Sequence, residues 1–237
     1  MKAQAELFPT NEALIQRARN VLWQRRRLVW LIGGAGSGKS TLSRAVAAAR
    51  SGISVYDMDE AYFGRFQFDP QRHPATTAWF SSENPLGWML SLSWAEFDAL
   101  YRAANAEMLE RLAVDLRDRP DEPLIIDGGI THPSVLVEAV PAERIIYLER
   151  AEVERMKEWD TAENRAEMKG SVLALPGGEA TWQQFLEYDR RMTETLGRES
   201  RQLGTRIVSW DGKTLPEALA KSLLSLIDAI ESIPPAP

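Results

Sequence analysis

A glycine-rich run that ends in lysine and serine is the part of the chain best suited to chemistry. From Gly33 to Ser40 the residues fit the pattern G-x-x-x-x-G-K-[ST] at every fixed position. Glycines let successive backbone N–H groups converge on phosphate oxygens at a helix amino terminus. Lys39 would reach the β- and γ-phosphates, and the Ser40 hydroxyl would be a ligand of Mg²⁺. The predicted nucleotide-binding residues are Gly33, Gly34, Ala35, Gly36, Ser37, Gly38, Lys39, Ser40 and Thr41.

Two aspartates separated by one residue follow a short apolar run. Asp57 and Asp59 come directly after 53–56, which we predict to be a strand. In an extended chain, residues i and i+2 point to the same side, so both carboxylates are expected to face one crevice at the carboxyl end of a sheet. Transfer of a phosphoryl group to a hydroxyl needs a carboxylate that orients or deprotonates the nucleophile. The alternative is that an aspartate only caps the helix after the strand.

The stretches that must position these residues alternate between strands and helices. The apolar runs predicted to be strands are 28–32, 53–56, 124–126, 144–148 and 205–210. Helical patterns cover 11–26, 39–50, 93–117 and about 151–169, and the third of these opens with the capping box Ser93-Trp94-Ala95-Glu96. Further helices are predicted after Gly178, with Thr181 and Gln184 as caps, and after Thr214. Short strands separated by helices indicate an α/β fold with a parallel sheet covered on both faces.

An aromatic-rich segment follows the second predicted strand. Residues 62–101 contain ten of the chain's twenty aromatic side chains. Within this region, 60–92 has no regular pattern and is too long for an ordinary connection, which indicates a functional or inserted segment. Its aromatic side chains could stack on a substrate or close a pocket to water. A small satellite core or an interface between copies of the chain explains the composition equally well.

The composition excludes several classes of site. The chain has 237 residues, a length compatible with one domain, and it has no cysteine, so disulfides, thiolate metal sites and cysteine nucleophiles are excluded. A net charge of −6 argues against a broad nucleic-acid-binding face. No apolar run is long enough to span a membrane, and the amino-terminal residues lack a signal-peptide core. We therefore expect a cytoplasmic protein.

Together these motifs resemble the P-loop small-molecule kinases, the group that contains shikimate, gluconate, uridine and nucleoside-monophosphate kinases. The resemblance is carried by the glycine-rich loop, Asp57-Met58-Asp59, Asp127-Gly128-Gly129, Tyr147 to Arg150 and Val208 to Ala218. It implies a P-loop NTPase-type fold of three layers, with a five-stranded parallel sheet and helices on both faces. It also implies a mobile lid after the fourth strand and adenine near the last strand–helix loop.

The same resemblance implies roles for residues at the nucleotide. Either Asp57 or Asp59 would be the catalytic base, acting beside Lys39. Asp127 would occupy the second acidic position at the metal and would join Ser40 in holding Mg²⁺.

The resemblance further implies two segments that close over the substrates. Residues 60–100 would form an aromatic-rich cap over the acceptor, and about 151–180 would form the lid. The candidate lid arginines are Arg155, Arg165 and Arg190. Uridine-kinase-like lids have a further arginine about where Trp159 stands, and this chain departs from them there. The whole chain, 1–237, is predicted to be a single domain with a frayed tail at 234–237.

These observations predict an ATP- and Mg²⁺-dependent phosphotransferase whose acceptor is the hydroxyl of a small nucleoside-, sugar- or shikimate-like molecule. Neither a membrane nor a nucleic acid is expected as a partner, and a homodimer is left open. One alternative is a nucleotide-binding regulatory ATPase that has no acceptor. Another is a zeta-toxin-like sugar-nucleotide kinase, which the run Arg72-His73-Pro74 faintly resembles. A third is an interaction module that uses the aromatic segment.

Overall fold

The strands form one parallel sheet. The computed structural model describes residues 8–211, 214 and 216–231. Its strands are β1 Leu28–Ile32, β2 Ser54–Asp57, β3 Leu124–Asp127, β4 Ile145–Arg150 and β5 Arg206–Trp210. They lie in the order β2-β3-β1-β4-β5, and every neighbouring pair is parallel. The predicted α/β fold with a five-stranded parallel sheet is confirmed.

Helices connect the strands and fill the two outer layers. Their bounds are α1 Glu12–Leu22, α2 Lys39–Ala49, α3 Met58–Glu60, α4 Pro74–Ser81, α5 Pro85–Ser91, α6 Trp94–Leu116, α7 Pro133–Leu136, α8 Glu152–Thr161, α9 Glu163–Leu173, α10 Glu179–Gln202 and α11 Pro216–Glu231. A π-helical turn, Ala61–Arg65, follows α3, and a 3-10 turn, Ala142–Arg144, precedes β4. Within the described residues, no helix combines the length and the apolarity needed to cross a membrane.

Separate apolar clusters lie on the two faces of the sheet. On one face Trp30 of β1 packs with residues of α1 and α6, including Leu22 and Leu109. On the other face Leu31 packs with residues of α2 and α11, including Leu223. All five residues of β1 are buried, because this central strand is covered on both sides. This two-sided burial accounts for the unbroken apolar run by which the strand was predicted.

The parallel register brings the ends of three strands together. Asp57, the last residue of β2, pairs with Asp127, the last residue of β3. Leu31 of the central strand pairs with the same Asp127. The loops that follow β1, β2 and β3 therefore begin side by side at one edge, which is where ligands bind in open α/β sheets.

The segment 60–92 is more regular than predicted. The π-helical turn, α4 and α5 occupy much of it, so the expectation of an irregular stretch is wrong. Helices α4 and α5 have eight and seven residues, which is too short for either to be stable alone. Their order depends on contacts with the rest of the fold, and local periodicity could not reveal it.

Several predicted helix ends differ from the structure. The helix predicted over 151–169 is two helices, because the backbone at Ala162 is extended between α8 and α9. Neither Thr181 nor Gln184 caps α10, since Gly178 stands at that position and the Thr181 hydroxyl bonds instead to the carbonyl of Pro176. The first helix ends at Leu22 rather than at residue 26. The tail at 234–237 lies outside the described residues.

The capping box at the start of α6 is confirmed. The Ser93 hydroxyl accepts a hydrogen bond from the Glu96 backbone N–H, and the Glu96 carboxylate accepts one from the Ser93 backbone N–H. Both bonds satisfy N–H groups that have no partner inside the helix. The start of this long helix is therefore determined locally, and α6 then carries one wall of the candidate site.

Candidate active site

The glycine-rich loop joins the central strand β1 to α2. Gly38 precedes the helix with a φ of 90°. A Cβ atom at this position would lie 2.0 Å from the ring of Trp210, so glycine is needed both for the backbone conformation and for the space. The first residue of the helix is Lys39. The loop thus provides flexible backbone next to a helix amino terminus, the arrangement that binds phosphate.

The Lys39 ammonium lies inside the loop. It donates hydrogen bonds to the backbone carbonyls of Gly33, at 2.8 Å, and Gly34, at 3.2 Å. Burial lowers the pKa of Lys39, while the nearby carboxylates of Asp127 and Asp59 oppose this shift. Lys39 is thus close enough to two carboxylates at the end of the sheet to interact with them electrostatically.

Asp127 has a carboxylate oxygen without a partner. The side chain is buried at the end of β3, and its Oδ2 accepts a hydrogen bond of 3.1 Å from the Ser43 hydroxyl. Its Oδ1 is also buried, and no hydrogen bond reaches it within the described residues. Ser40 lies in the first turn of α2, three residues before Ser43. Hydroxyl and carboxylate oxygens are hard ligands of the kind Mg²⁺ takes, so these residues fit that ion.

The structure separates the two aspartates that the sequence put together. The Asp57 carboxylate accepts hydrogen bonds of 3.0 Å from the backbone N–H groups of Asp59 and Glu60, and so caps α3. Met58 to Glu60 is helical, so the expectation that both carboxylates point to one side of an extended strand is wrong. Asp59 borders a cavity, whereas Asp57 is not among the residues that line it.

The Asp59 carboxylate is positioned as a group that could accept a proton. No hydrogen bond to it is made by the residues that the structure describes. Burial raises its pKa, and Lys39 acts in the opposite direction. A carboxylate with a raised pKa accepts a proton more readily than one at the ordinary value for aspartate.

The cavity beside Asp59 has a volume of about 370 Å³. Gly33, Gly34 and Lys39 of the glycine-rich loop border one end of it. The rest of the wall comes from the π-helical turn, from α4, α5, α6, α9 and α10, and from the loop 128–131. The volume lies in the range of small-molecule sites, about 300–1,000 Å³.

The aromatic segment contributes to the cavity and also to a core next to it. Tyr62, Phe63, Trp79 and Tyr101 line the cavity. Other aromatic residues of 62–101 pack with α10 instead, as Phe97 does with its ring centroid 4.7 Å from that of Tyr188. The two interpretations left open by the sequence, a pocket wall and a satellite core, therefore each describe part of the segment.

The three candidate lid arginines have different surroundings. Arg155 is buried and donates a hydrogen bond of 2.5 Å to Asp189 and one of 3.2 Å to the carbonyl of Ala35. Arg165 lines the cavity. Arg190, on α10, forms ion pairs with glutamates of its own helix and does not border the cavity. Of the three, Arg165 is the one that could reach a bound substrate directly.

Trp159 stands at the position where the resemblance to uridine-kinase-like lids predicted an arginine, and its ring contacts Arg165. Its ring is buried, and the Arg165 guanidinium carbon lies 4.6 Å from the ring centroid. A guanidinium over an indole face is held by the ring's quadrupole. The positive charge thus comes from Arg165 of α9, and the ring of Trp159 on α8 supports its guanidinium.

Two site residues were missed by sequence reasoning. Arg150 donates a hydrogen bond of 2.7 Å to the Gly36 carbonyl, and its guanidinium carbon lies 5.2 Å from the centroid of the Trp210 ring. Asn105, fully buried on α6, accepts hydrogen bonds from the backbone N–H groups of Thr131 and His132 and so holds the cavity loop. For Asn105, the sequence signal that could have indicated a role was a side-chain amide on the buried face of a predicted helix.

The run Arg72-His73-Pro74 lies away from the cavity. His73 is buried with its Nε2 3.3 Å from Glu110 Oε2, and Arg72 bonds to the same carboxylate at 3.4 Å. Neither residue borders the cavity. These contacts attach the segment before α4 to α6, which is a structural role.

Comparison with known proteins identifies a fold likeness. No protein-family model matches the chain, and no curated protein matches it in sequence. Among solved structures, shikimate kinase from Acinetobacter baumannii in complex with shikimate is 15% identical, with a TM-score of 0.49 over 87% of this chain and 95% of that chain. A likeness at this level does not transfer an activity or a substrate to this chain.

Proposed function

We propose that this protein is an ATP- and Mg²⁺-dependent phosphotransferase that moves the γ-phosphate of ATP to the hydroxyl of a small molecule. The observation that carries the proposal is a single cavity bordered by the glycine-rich loop, Lys39 and the carboxylate of Asp59. The cavity thereby brings together a loop that can bind the phosphate donor, a carboxylate that can accept a proton and space for an acceptor. The absence of an Asn-Lys-x-Asp tetrapeptide argues against a guanine nucleotide.

Catalysis in this proposal is mainly positioning and neutralisation of charge. The backbone N–H groups of 33–38 and the Lys39 ammonium hold the phosphates, and Arg165 adds positive charge from the lid side. Mg²⁺, held through Ser40 and Asp127, supplies further neutralisation of the β- and γ-phosphate oxygens when bound.

Asp59 orients the acceptor hydroxyl and takes its proton. As the hydroxyl oxygen forms a bond to the γ-phosphorus, the bond from that phosphorus to the bridging oxygen breaks and ADP leaves. The proton passes to the Asp59 carboxylate, whose raised pKa favours this transfer. Asp57 has no part in the step, because its carboxylate is used as a helix cap.

The adjacent aspartates provide a matched pair of variants. Asp59→Asn removes the proton acceptor and should lower kcat by about 10²–10⁴-fold, with little change in the affinity for ATP. Asp57→Asn keeps a side chain that caps helices well, so kcat should change only a few-fold. Steady-state transfer measured over a panel of hydroxyl compounds, together with equilibrium binding of ATP, checks both results.

Three outcomes would contradict the proposal or its assignments. Full activity of Asp59→Asn would remove the only role given to that carboxylate. Turnover of ATP that is the same with and without any added hydroxyl compound would instead favour a regulatory ATPase. Loss of activity in Asp57→Asn alone would reverse the two assignments.

A further inference from the structure

The groups available for polar contacts with a ligand lie at one end of the cavity. Lys39, Asp59 and Arg165 border it beside the glycine-rich loop and act on one another electrostatically. In the proposed function this end receives the γ-phosphate and the reacting hydroxyl. Any further hydroxyl of an acceptor would have to find its partners deeper in the cavity.

Polar side chains deeper in the wall are already bonded to the protein. The Tyr101 hydroxyl donates to the Met89 sulfur at 3.2 Å. The Thr193 hydroxyl donates to the Asp189 carbonyl at 2.9 Å, and the Asp189 carboxylate accepts a hydrogen bond from Arg155. The two hydroxyls use their protons within the protein, so these groups can only accept hydrogen bonds from a second ligand hydroxyl.

The hydroxyl of Thr131, in the loop 128–131, is likewise already hydrogen-bonded within the protein. The Thr131 hydroxyl lies 3.2 Å from Asn105 Oδ1 and 3.0 Å from His132 Nδ1. Tyr62 adds one phenol hydroxyl to the wall, packed among aromatic rings, and burial raises its pKa to about 12. The deeper wall therefore presents few groups that could replace the water around a polyol.

The remaining wall is apolar and rich in methionine. Four of the chain's seven methionines, Met89, Met108, Met168 and Met192, line the cavity together with Trp79 and Phe185. Methionine side chains are flexible and polarisable, and they adapt to apolar ligands of different shape. Aromatic rings gain further from contacts with sulfur and with other rings.

We infer that the acceptor is an alcohol with one reactive hydroxyl and an apolar body that carries an aromatic ring, not a polyol such as a sugar, a nucleoside or a shikimate-like acid. This inference rests on the proposed function for the role of the hydroxyl end. A polyol would bury hydroxyl groups without partners, which is costly, whereas an apolar body fills the same space favourably.

Binding and transfer are measured separately on the full chain. Calorimetric titration without nucleotide compares phenylpropanol and naphthylmethanol with uridine, shikimate and gluconate. The aromatic alcohols should bind at least about tenfold more tightly, because each buried hydroxyl without a partner costs a polyol about that factor. With ATP and Mg²⁺ present, the same compounds are then assayed for phosphoryl transfer.

Two alanines of α6 give a matched pair of variants. Ala104 lines the cavity, and Ala95 is exposed on the same helix. Ala104→Asp should weaken binding of the aromatic alcohols by about tenfold or more, because an apolar ligand would have to desolvate the charge at the cavity wall, while Ala95→Asp should leave it unchanged. If Ala104→Asp fails to fold, Ala104→Leu tests the site by volume and should exclude naphthylmethanol more strongly than phenylpropanol.

The outcomes separate this inference from the proposed function. Aromatic alcohols that bind at the cavity, with no compound of the panel accepting phosphate, would uphold the apolar site and contradict the proposed reaction. Uridine, shikimate or gluconate that binds as tightly as the aromatic alcohols, or accepts phosphate in their place, would overturn the inference and leave the reaction standing. Failure of the folded protein to bind either aromatic alcohol would also overturn it.

Discussion

Asp59, which is exposed, and Lys39, which is half-buried, are ionisable groups whose surroundings oppose their charged forms. Burial raises the pKa of Asp59 and lowers the pKa of Lys39, and each partly offsets the effect on the other. Groups whose pKa is shifted in this way cluster at functional sites. In the proposed reaction, one group binds phosphate and the other takes a proton.

The raised pKa of Asp59 predicts opposite effects of Asp59→Asn on activity and stability. The folded protein binds a proton at Asp59 more tightly than the unfolded chain does, so the ionised carboxylate destabilises the fold at neutral pH. Asp59→Asn should therefore raise Tm at neutral pH while it lowers kcat. The gain in Tm should shrink as the pH falls through the raised pKa towards about 4, the ordinary value for aspartate.

Thermal unfolding of the wild type and the variant across this pH range tests that sign. The wild-type kcat should also fall with acid at a pH above the usual aspartate range, because protonated Asp59 cannot take the acceptor proton. A variant that is less stable than the wild type at neutral pH would contradict the assigned environment of Asp59.

At the scale of elements, the short helix α4 depends on α6 for its amino terminus. His73 stands before the helix without capping it. The carboxylate of Glu107, buried on α6, accepts hydrogen bonds from the backbone N–H groups of Ala75, at 2.9 Å, and Thr76, at 2.8 Å. A cap supplied from a distant element fixes α4, and with it Trp79, against the cavity.

Glu107→Ala should loosen this helix more than the rest of the fold. Two backbone N–H groups would lose their partner, at a cost of about 1–3 kcal/mol in the free energy of unfolding. Hydrogen exchange should accelerate over 74–81 while β1 stays protected. Glu107→Gln keeps one acceptor oxygen and should lose less; equal exchange in both variants and the wild type would show that α4 is held by other contacts.

At the scale of the whole molecule, the order of the strands in the sheet determines which residues meet at the site. The central strand β1 delivers the glycine-rich loop, and its neighbour β3 delivers Asp127. Outer helices then close the cavity from positions as distant in the chain as Phe63 and Met192. Ligand binding here should stabilise the folded chain as a unit, because the site has no counterpart in the unfolded state.

Mg²⁺ and ATP together should raise Tm more than ATP with a chelator. At about 100 times Kd, the gain in the free energy of unfolding is about 2.7 kcal/mol. Lys39→Ala should remove most of the gain from ATP, while Asp127→Asn should chiefly remove the added effect of Mg²⁺. Thermal shift titrations with ATP and either Mg²⁺ or a chelator measure both. Unchanged gains in the two variants would contradict the phosphate and metal assignments.

What the sequence by itself determined about this protein is what depends on neighbours along the chain. The strand β1, the glycine-rich loop and α2 follow one another, and the spacing of glycines, lysine and serine is sufficient to predict a phosphate site. The capping box at Ser93 is likewise a relation between residues three positions apart. Unbroken apolar runs indicated buried parallel strands, because a strand covered on both faces has no polar side.

Only the tertiary structure decided which carboxylate meets the cavity. Asp57 and Asp59 look equivalent in an extended chain, but the Asp57 carboxylate accepts hydrogen bonds from the backbone N–H groups that begin a short helix. The helical backbone leaves the Asp59 carboxylate to interact with Lys39. The cap of α4 by Glu107 and the support of Arg165 by Trp159 join residues of different elements. The apolar character of the cavity arises in the same way, since its methionines come from α5, α6, α9 and α10, and periodicity reports only which face of one helix is buried.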